Sequence, residues 1–273
     1  MPELPEVETI RRDLEPLIVG RTITAASIAG GAERLAVTHA PRDLERQLVG
    51  RRIAALRRHG KYLLAELDDE RTWVLHLRMT GSLVHLPAAA EPARFERARV
   101  DFDDGTSMRF NDMRKFGTWH LLEDATDAMP HSGPDALSVE FDLAWLRNQL
   151  SRRSTAVKAV LLDQKVAAGV GNIYADEACW FAGIDPRTSA QRLGPKRIAR
   201  LHTAIVQTLN DALDDRGSTF SDYRDGAGES GLHQVRWHVF RRDGEPCERC
   251  GREIRKTRVV GRGTHFCPGC QRR

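Results

Sequence analysis

The 273-residue chain contains no apolar run approaching the roughly 20 residues that a membrane-spanning helix needs. It also lacks the basic-then-apolar opening of an export leader; its first residues are acidic and amphipathic. A cytoplasmic protein with no membrane partner is expected. There is no internal repeat and no low-complexity segment. Cysteine is scarce, with five in all, four of them between 247 and 270, so the body of the chain has no disulfide framework. Cys179 stands alone in the apolar stretch Ala178-Cys179-Trp180-Phe181 and is expected to pack in a core. Net charge is only +4, but residues 236–273 hold eleven Lys/Arg against four Asp/Glu, leaving the remainder at −3. A basic end on a near-neutral body suggests a polyanion partner; a solvated basic tail is the alternative.

The length suits more than one domain. Residues 3–18 predict a helix, with Val7, Ile10, Leu14 and Leu17 on one stripe. Glu3 and Glu6 fall in its first turn, where the helix dipole favours anions. Strands are expected at 22–29, 51–58, 61–67, 72–78, 82–86, 98–103, 106–111 and 117–122, with Asp103-Asp104-Gly105 as a hairpin turn and a short helix at 41–48. These short strands read as a sandwich or barrel. Periodicity lapses over 123–140. Beyond it, helices are expected at 142–150, 155–164, 173–182 and 195–213, the last with Ile198, Leu201, Ile205, Leu209 and Leu213 on one stripe. Four glycines among polar residues predict a mobile loop over 215–232. The expected domains are 1–122, a linker at 123–140, 141–235, and 236–273.

Three places carry chemistry. Cys247-x2-Cys250 and Cys267-x2-Cys270, sixteen residues apart, form two knuckles that suit one structural Zn²⁺. Arginines between the knuckles make that hairpin a candidate nucleic-acid probe. Gly169-Val170-Gly171-Asn172 precedes a helix; it reads either as a phosphate-facing N-cap or as a tight helix–helix turn. The start, Met1-Pro2-Glu3-Leu4-Pro5-Glu6, reads either as a helix start or as a nucleophile. Removal of Met1 would expose a secondary amine, and a terminal amine has a pKa of about 8, so a useful fraction is unprotonated near neutral pH.

Four segments occur in one order: Pro2-Glu3-Leu4-Pro5-Glu6-Val7-Glu8-Thr9, Gly60-Lys61-Tyr62-Leu63-Leu64, Ala168 to Glu177, and the four-Cys finger. Together they resemble the formamidopyrimidine-DNA glycosylase family across nearly the whole chain. The resemblance implies an α+β multidomain protein: an N-terminal β-sandwich with flanking helices, then a helical helix–two-turn–helix domain with a zinc-finger β-hairpin. Damaged duplex DNA would lie in a cleft between the domains, bound by a monomer. It also implies roles. Pro2 would attack C1′ of the damaged nucleotide, Glu3 would assist sugar-ring opening, Glu6 would support the proton network, and Lys61 and Arg262 would act at the phosphates. His76-Leu77-Arg78-Met79-Thr80-Gly81 matches the loop with a wedge methionine, Met79. Asn111 to Gly117 matches the loop whose Arg114 would bond the orphaned cytosine and whose Phe116 would wedge the stack. Lys115, Arg97, Arg153, Lys158, Asn172 and His76 would contact DNA.

The implied activity is a bifunctional glycosylase/AP lyase removing oxidised purines. The alternatives are the sister branch that excises oxidised pyrimidines, which typically begins Pro-Glu-Gly-Pro-Glu, and a non-catalytic lesion-binding homologue. The chain departs from the family pattern at Met113, where Pro is usual, at Lys115, where Arg is usual, at Arg97 and Arg99, where histidines are frequent, and at Phe240-Arg241-Arg242, where Tyr-Gly-Arg is usual.

Overall fold

The computed structural model describes residues 2–219, 225–226 and 228–273. The expected mobile loop over 215–232 therefore lies partly outside the described residues. Two compact units are formed. The first comprises the chain up to Pro130 together with Asp215–Gln234; the second comprises His131–Asp214 and Val235–Arg273.

In the first unit, α1 (Leu4–Ile18) is followed by β1 (Ile23–Ile28), α2 (Pro41–Leu48), β2 (Ile53–His59), β3 (Tyr62–Leu67), β4 (Thr72–His76), β5 (Gly81–Pro87), β6 (Glu96–Phe102), β7 (Thr106–Asp112) and β8 (Thr118–Leu122). The strands form two four-stranded antiparallel sheets, ordered β1-β6-β7-β5 and β2-β3-β4-β8. Period-two burial makes β3 a half-buried strand, with Leu63, Ala65 and Leu67 inward. The interior strand β4 is buried throughout. Gly105 closes the β6–β7 hairpin in the left-handed conformation (φ +80°), as the Asp-Asp-Gly signal requires.

The core centres on Trp73 and Trp119, packed edge to face at 4.7 Å, with the Phe110 ring 5.9 Å from Trp119. Helix α1 lays Val7, Ile10, Leu14 and Ile18 into it. Leu17, expected on that stripe, is 39% exposed. At about 100° per residue, position 18 returns to the line of 7 and 14, whereas 17 points well off it.

The second unit contains α3 (Leu143–Ser151), α4 (Val157–Leu162), α5 (Asn172–Phe181), α6 (Pro195–Asp214), and the hairpin β9 (Arg255–Val259) and β10 (Arg262–Phe266). All five expected stripe residues of α6 are buried. Helix α5 is buried from Ile173 to Trp180, including Cys179, and packs on α4, α6 and β10. Burial pushes the Cys179 thiol far up, so it stays protonated and packs as a small apolar residue.

Periodicity alone groups residues 215–234 with the helices. In the structure they belong to the first unit because α1 holds them. Ser218 N donates to Glu6 Oε1 (2.8 Å), and Asp13 Oδ2 accepts from Arg216 Nη2 (2.7 Å) and Gly226 N (3.1 Å).

Truncating Trp73 to Ala in this core is expected to lower stability by about 3–5 kcal/mol. A denaturant melt of the full chain measures it; a loss below about 1 kcal/mol would contradict the assigned core.

Candidate active site and nucleic-acid interface

The N-terminal cluster is built on the first turn of α1. Pro2, Glu3 and Glu6 are all buried. Glu6 reaches back so that Oε2 accepts the Glu3 backbone N–H at 2.7 Å, one arm of a capping box, while Oε1 accepts from Ser218. Gly217 makes the second bond feasible. Its φ is +81°, and a Cβ there would meet Glu6 Cγ at 3.0 Å. One turn on, Glu8 Oε2 pairs with Arg11 Nε and Arg58 Nε, each at 3.0 Å. Burial pushes the Glu8 carboxyl up, but the two guanidiniums outweigh it and hold the group below the usual carboxylate range.

Lys61 lies in the two-residue turn joining β2 to β3, after Gly60 (φ +56°), and is only 7% exposed. It is therefore not the ordinary exposed strand lysine that sequence alone would favour. His76 ends β4, buried against the Tyr62 ring at 4.5 Å. Its Nδ1 accepts the Arg78 N–H at 2.9 Å. Burial, reinforced by Arg78 and Lys61, lowers its pKa to about 3. His76 is therefore a neutral ring near pH 7, with the proton on Nε2.

Two loops follow the strands. After β4, Arg78 is exposed, and Met79 and Thr80 are half-buried. Gly81 bonds back to Leu77 O (3.0 Å), and a Cβ there would lie 2.3 Å from that oxygen. After β7, Met113, Arg114, Lys115 and Phe116 are all exposed, and the Arg114 guanidinium lies 4.6 Å over the Phe116 ring. Apolar side chains of this size usually pack in a core, yet Phe116 is 49% exposed. Arg97 is half-buried and donates from Nε to Asp112 O at 2.8 Å.

In the second unit the four cysteines are free thiols whose Sγ atoms lie within 4.8 Å of one another. Cys250 and Cys267 stand 3.4 Å apart, Cys247 and Cys270 3.9 Å. Four thiolates about 2.3 Å from a central Zn²⁺ fit this spacing and leave no open position. A Cβ on Gly269, in the second knuckle, would come within 2.9 Å of Cys250 Sγ.

The hairpin is anchored from below by Lys158, and here a sequence expectation is corrected. Lys158 has no exposed surface with which to meet DNA. Its Nζ lies 2.7 Å from Asp176 Oδ1, 2.8 Å from Gly263 O and 3.0 Å from Thr264 Oγ1. Asp176 Oδ2 also accepts the His265 N–H at 2.9 Å. Asn172 is likewise not the N-cap: Gly171 is, and Asn172 Nδ2 donates to Gly263 O at 3.1 Å. Arg153 is half-buried, bonded to Gln149 O (2.8 Å) and 3.8 Å from Asp163. Arg262 is exposed at the start of β10.

Three family models match this chain: the formamidopyrimidine-DNA glycosylase N-terminal domain over 1–119, its H2TH domain over 132–223, and a zinc finger found in FPG and IleRS over 244–273. The chain belongs to the formamidopyrimidine-DNA glycosylase family. It is 45% identical to the formamidopyrimidine-DNA glycosylase of Herpetosiphon aurantiacus, over 99% of this chain and 100% of that protein. It is 43% identical to the Bacillus subtilis protein over 99% of each. Among solved structures, the Lactococcus lactis Fpg complex with abasic-site DNA superposes with a TM-score of 0.90 at 36% identity, covering 99% of this chain and 100% of that one. The Thermus thermophilus MutM protein gives 0.88 at 38%, covering 99% and 98%.

Residues that sequence reasoning missed are mostly carboxylates. Asp112 organises the 113–117 loop, Asp176 anchors the hairpin, and Glu177 Oε1 accepts the N–H groups of Val239 (2.9 Å) and Phe240 (2.8 Å). Asp176 and Glu177 stand inside the Ala168-to-Glu177 segment, but nothing in that string says what they reach. Arg241, where the family pattern has Gly, adopts a left-handed φ of +58°.

Two outcomes are expected. Withdrawing metal from the full chain should release one zinc per molecule and abolish amide protection in β9 and β10. A finger equally protected without zinc would contradict the site. The second concerns His76. Its folded pKa of about 3 lies below the ordinary 6.5. The unfolded chain therefore binds the extra proton between those values, and stability falls as pH drops from about 6.5 toward 3, by up to about 1.4 kcal/mol per unit. Urea melts of wild type and His76→Asn at pH 7 and 5 test this; equal losses in both would refute it.

Proposed function

We propose that Pro2 is the nucleophile of this DNA glycosylase/AP lyase of base excision repair, and that the first turn of α1 is its proton-handling centre. The observation that carries the reading is the burial of Glu3 and Glu6 beside Pro2, with both Glu6 oxygens already bonded to backbone N–H groups. Both carboxylates of the capping box accept backbone N–H groups, so the assignment of Glu3 as the acid for the sugar rests on its place beside Pro2 and on the family pattern. With Met1 removed, the Pro2 nitrogen attacks C1′ of the damaged nucleotide as the bond from C1′ to the base breaks. Glu3 delivers a proton to the ring oxygen as the sugar opens. The resulting iminium carries its positive charge at any pH and acidifies the C2′–H. Loss of that proton expels the 3′ phosphate, and a second elimination expels the 5′ phosphate. Lys61 and Arg262 act at those phosphates. General acid–base help of this kind is worth about 10²–10⁴ in rate.

Oxidised purines in duplex DNA, 8-oxoguanine and formamidopyrimidines, are the substrates, and the target nucleotide leaves the stack to react. Met79, Arg114 and Phe116 fill the gap. His76, Arg97, Lys115, Arg153, Asn172 and Arg262 grip the surrounding DNA, with His76 as a neutral partner rather than a cation. Lys158 acts on the hairpin instead of on DNA. The structural Zn²⁺ braces that hairpin and takes no part in the chemistry. Leu4 favours the purine branch over the sister branch with Gly at that position; its side chain is fully buried. One active site meets one lesion, so a cytoplasmic monomer suffices.

Borohydride reduction during turnover should trap Met-processed protein covalently on DNA containing 8-oxoguanine opposite C. Chain that retains Met1, whose Pro2 nitrogen is an amide, should give no adduct. Absence of an adduct from processed protein would overturn the enzyme reading. Faster release of thymine glycol opposite A would favour the pyrimidine branch.

A further inference from the structure

Asp112, the last residue of β7, is 1% exposed. Among the described residues no basic side chain pairs with its carboxylate; it collects loop hydrogens. Oδ1 accepts from the Thr80 hydroxyl and from Arg114 N (3.1 Å), and Oδ2 from Phe116 N and Gly117 N, both at 2.8 Å. The Thr80 hydroxyl oxygen accepts in turn from Arg114 N at 3.1 Å. Asp112 is also paired in register with Gly81, which closes the other loop. Only a carboxylate offers acceptors on both oxygens; an amide would turn an N–H toward two of these donors. Gly117 completes the arrangement, since a Cβ there would lie 2.2 Å from the Phe110 ring.

Thr80 follows Met79, and the Asp112 bonds bracket Arg114 and Phe116. We propose that Asp112 and Thr80 are positioning residues that lock these two loops together, so that Met79, Arg114 and Phe116 enter the base stack as one preset unit. The inference rests on the wedge reading of those three residues. Opening a base step costs a few kcal/mol, and ordering loose loops at the same moment would add about 1–2 kcal/mol per residue. The hub places that ordering in the folding of the protein, before DNA arrives. The role is specific to extrusion: a preformed abasic nucleotide has no base to draw from the stack.

Thr80→Val removes the linking hydroxyl at nearly constant shape and leaves the three backbone bonds to Asp112; Thr80→Ser keeps the hydroxyl. Single-turnover release of 8-oxoguanine from duplex DNA should fall about tenfold in T80V, roughly the worth of a lost hydrogen bond, and stay within about twofold in T80S. Cleavage at a preformed abasic site should stay within about twofold in both. In a Met79→Ala background, T80V should add little further loss, because the wedge it positions is gone. In the free protein, tryptic cleavage after Arg114 or Lys115 should quicken in T80V and not in T80S. Asp112→Asn should reproduce the T80V pattern more severely. Wild-type release by T80V, equal losses at lesion and abasic sites, or equal losses in T80V and T80S would each overturn the proposal. If wild type itself neither released a base nor was trapped by borohydride, the functional reading would fail, and this inference with it.

Discussion

Buried carboxylates hold the irregular parts of this chain. Strand and helix ladders satisfy their own backbone groups, but the loops that follow them leave N–H groups pointing inward, and each needs an acceptor. Asp112 supplies it for Arg114, Phe116 and Gly117, Asp176 for His265, Glu177 for 238–240, and Glu6 for Glu3 and Ser218. An ionised acceptor makes bonds about twice as strong as a neutral one, and its loss strands every donor it served, at about 1–3 kcal/mol each. The folding of these segments thus depends on a handful of charges that no surface scan would reveal.

Two of these carboxylates also determine what neighbouring residues do. Glu6 has both oxygens engaged and so ties the first turn of α1 to the segment at Ser218. Asp176 faces Lys158 with both side chains fully buried. Such a pair adds little net stability against an apolar substitute, yet removing one partner leaves an unpaired charge in the interior. The value of the pair lies in geometry. Lys158 spans from α4 to the carbonyl of Gly263, directly after Arg262, and Asn172 reaches the same carbonyl from α5. The zinc knuckles hold the far side of the hairpin, and this polar clasp holds its near side. Arg262 is exposed immediately before the clasped Gly263, on the turn side of the hairpin.

What the sequence made legible follows from period and spacing. The alternation of β3, the heptad-like stripe of α6 and the two knuckles could all be read because their partners lie a few residues away. The same logic failed by one position in α1, where Ile18 and not Leu17 completes the stripe after Pro16. It failed wholly for Lys158. A lysine in a six-residue helix reads as a solvated or DNA-facing cation, and only its contacts with Asp176, Gly263 and Thr264, the last two more than a hundred residues away, show it to be a strut. Asn172 was misplaced for a related reason, since Gly171 takes the extended cap conformation (φ −131°) and frees the amide for the finger. Asp112 carries no motif of its own; it stands beside Met113, Arg114 and Phe116, whose types attract the eye, while its function is to organise them.

Left-handed backbone points the same way. Among the described residues, six other than glycine have positive φ: Glu70, Arg78, Lys115, Arg216, Arg241 and Val260. Each costs about 1–2 kcal/mol relative to glycine, so a non-glycine residue there has to bring something glycine lacks. Four of the six are Arg or Lys. For Arg216 the return is visible, because its guanidinium clasps Asp13 and Asp225. Arg78, Lys115 and Arg241 are exposed. Two of them sit in the loops after β4 and β7 and the third leads into the finger, where the family pattern has glycine. A backbone fixed in this way sets where the Cα–Cβ bond points, and so the surface from which the cation leaves. At these positions the chain carries local strain and sets positive charge on exposed loop surface, which suits a protein whose solved relatives include complexes with DNA.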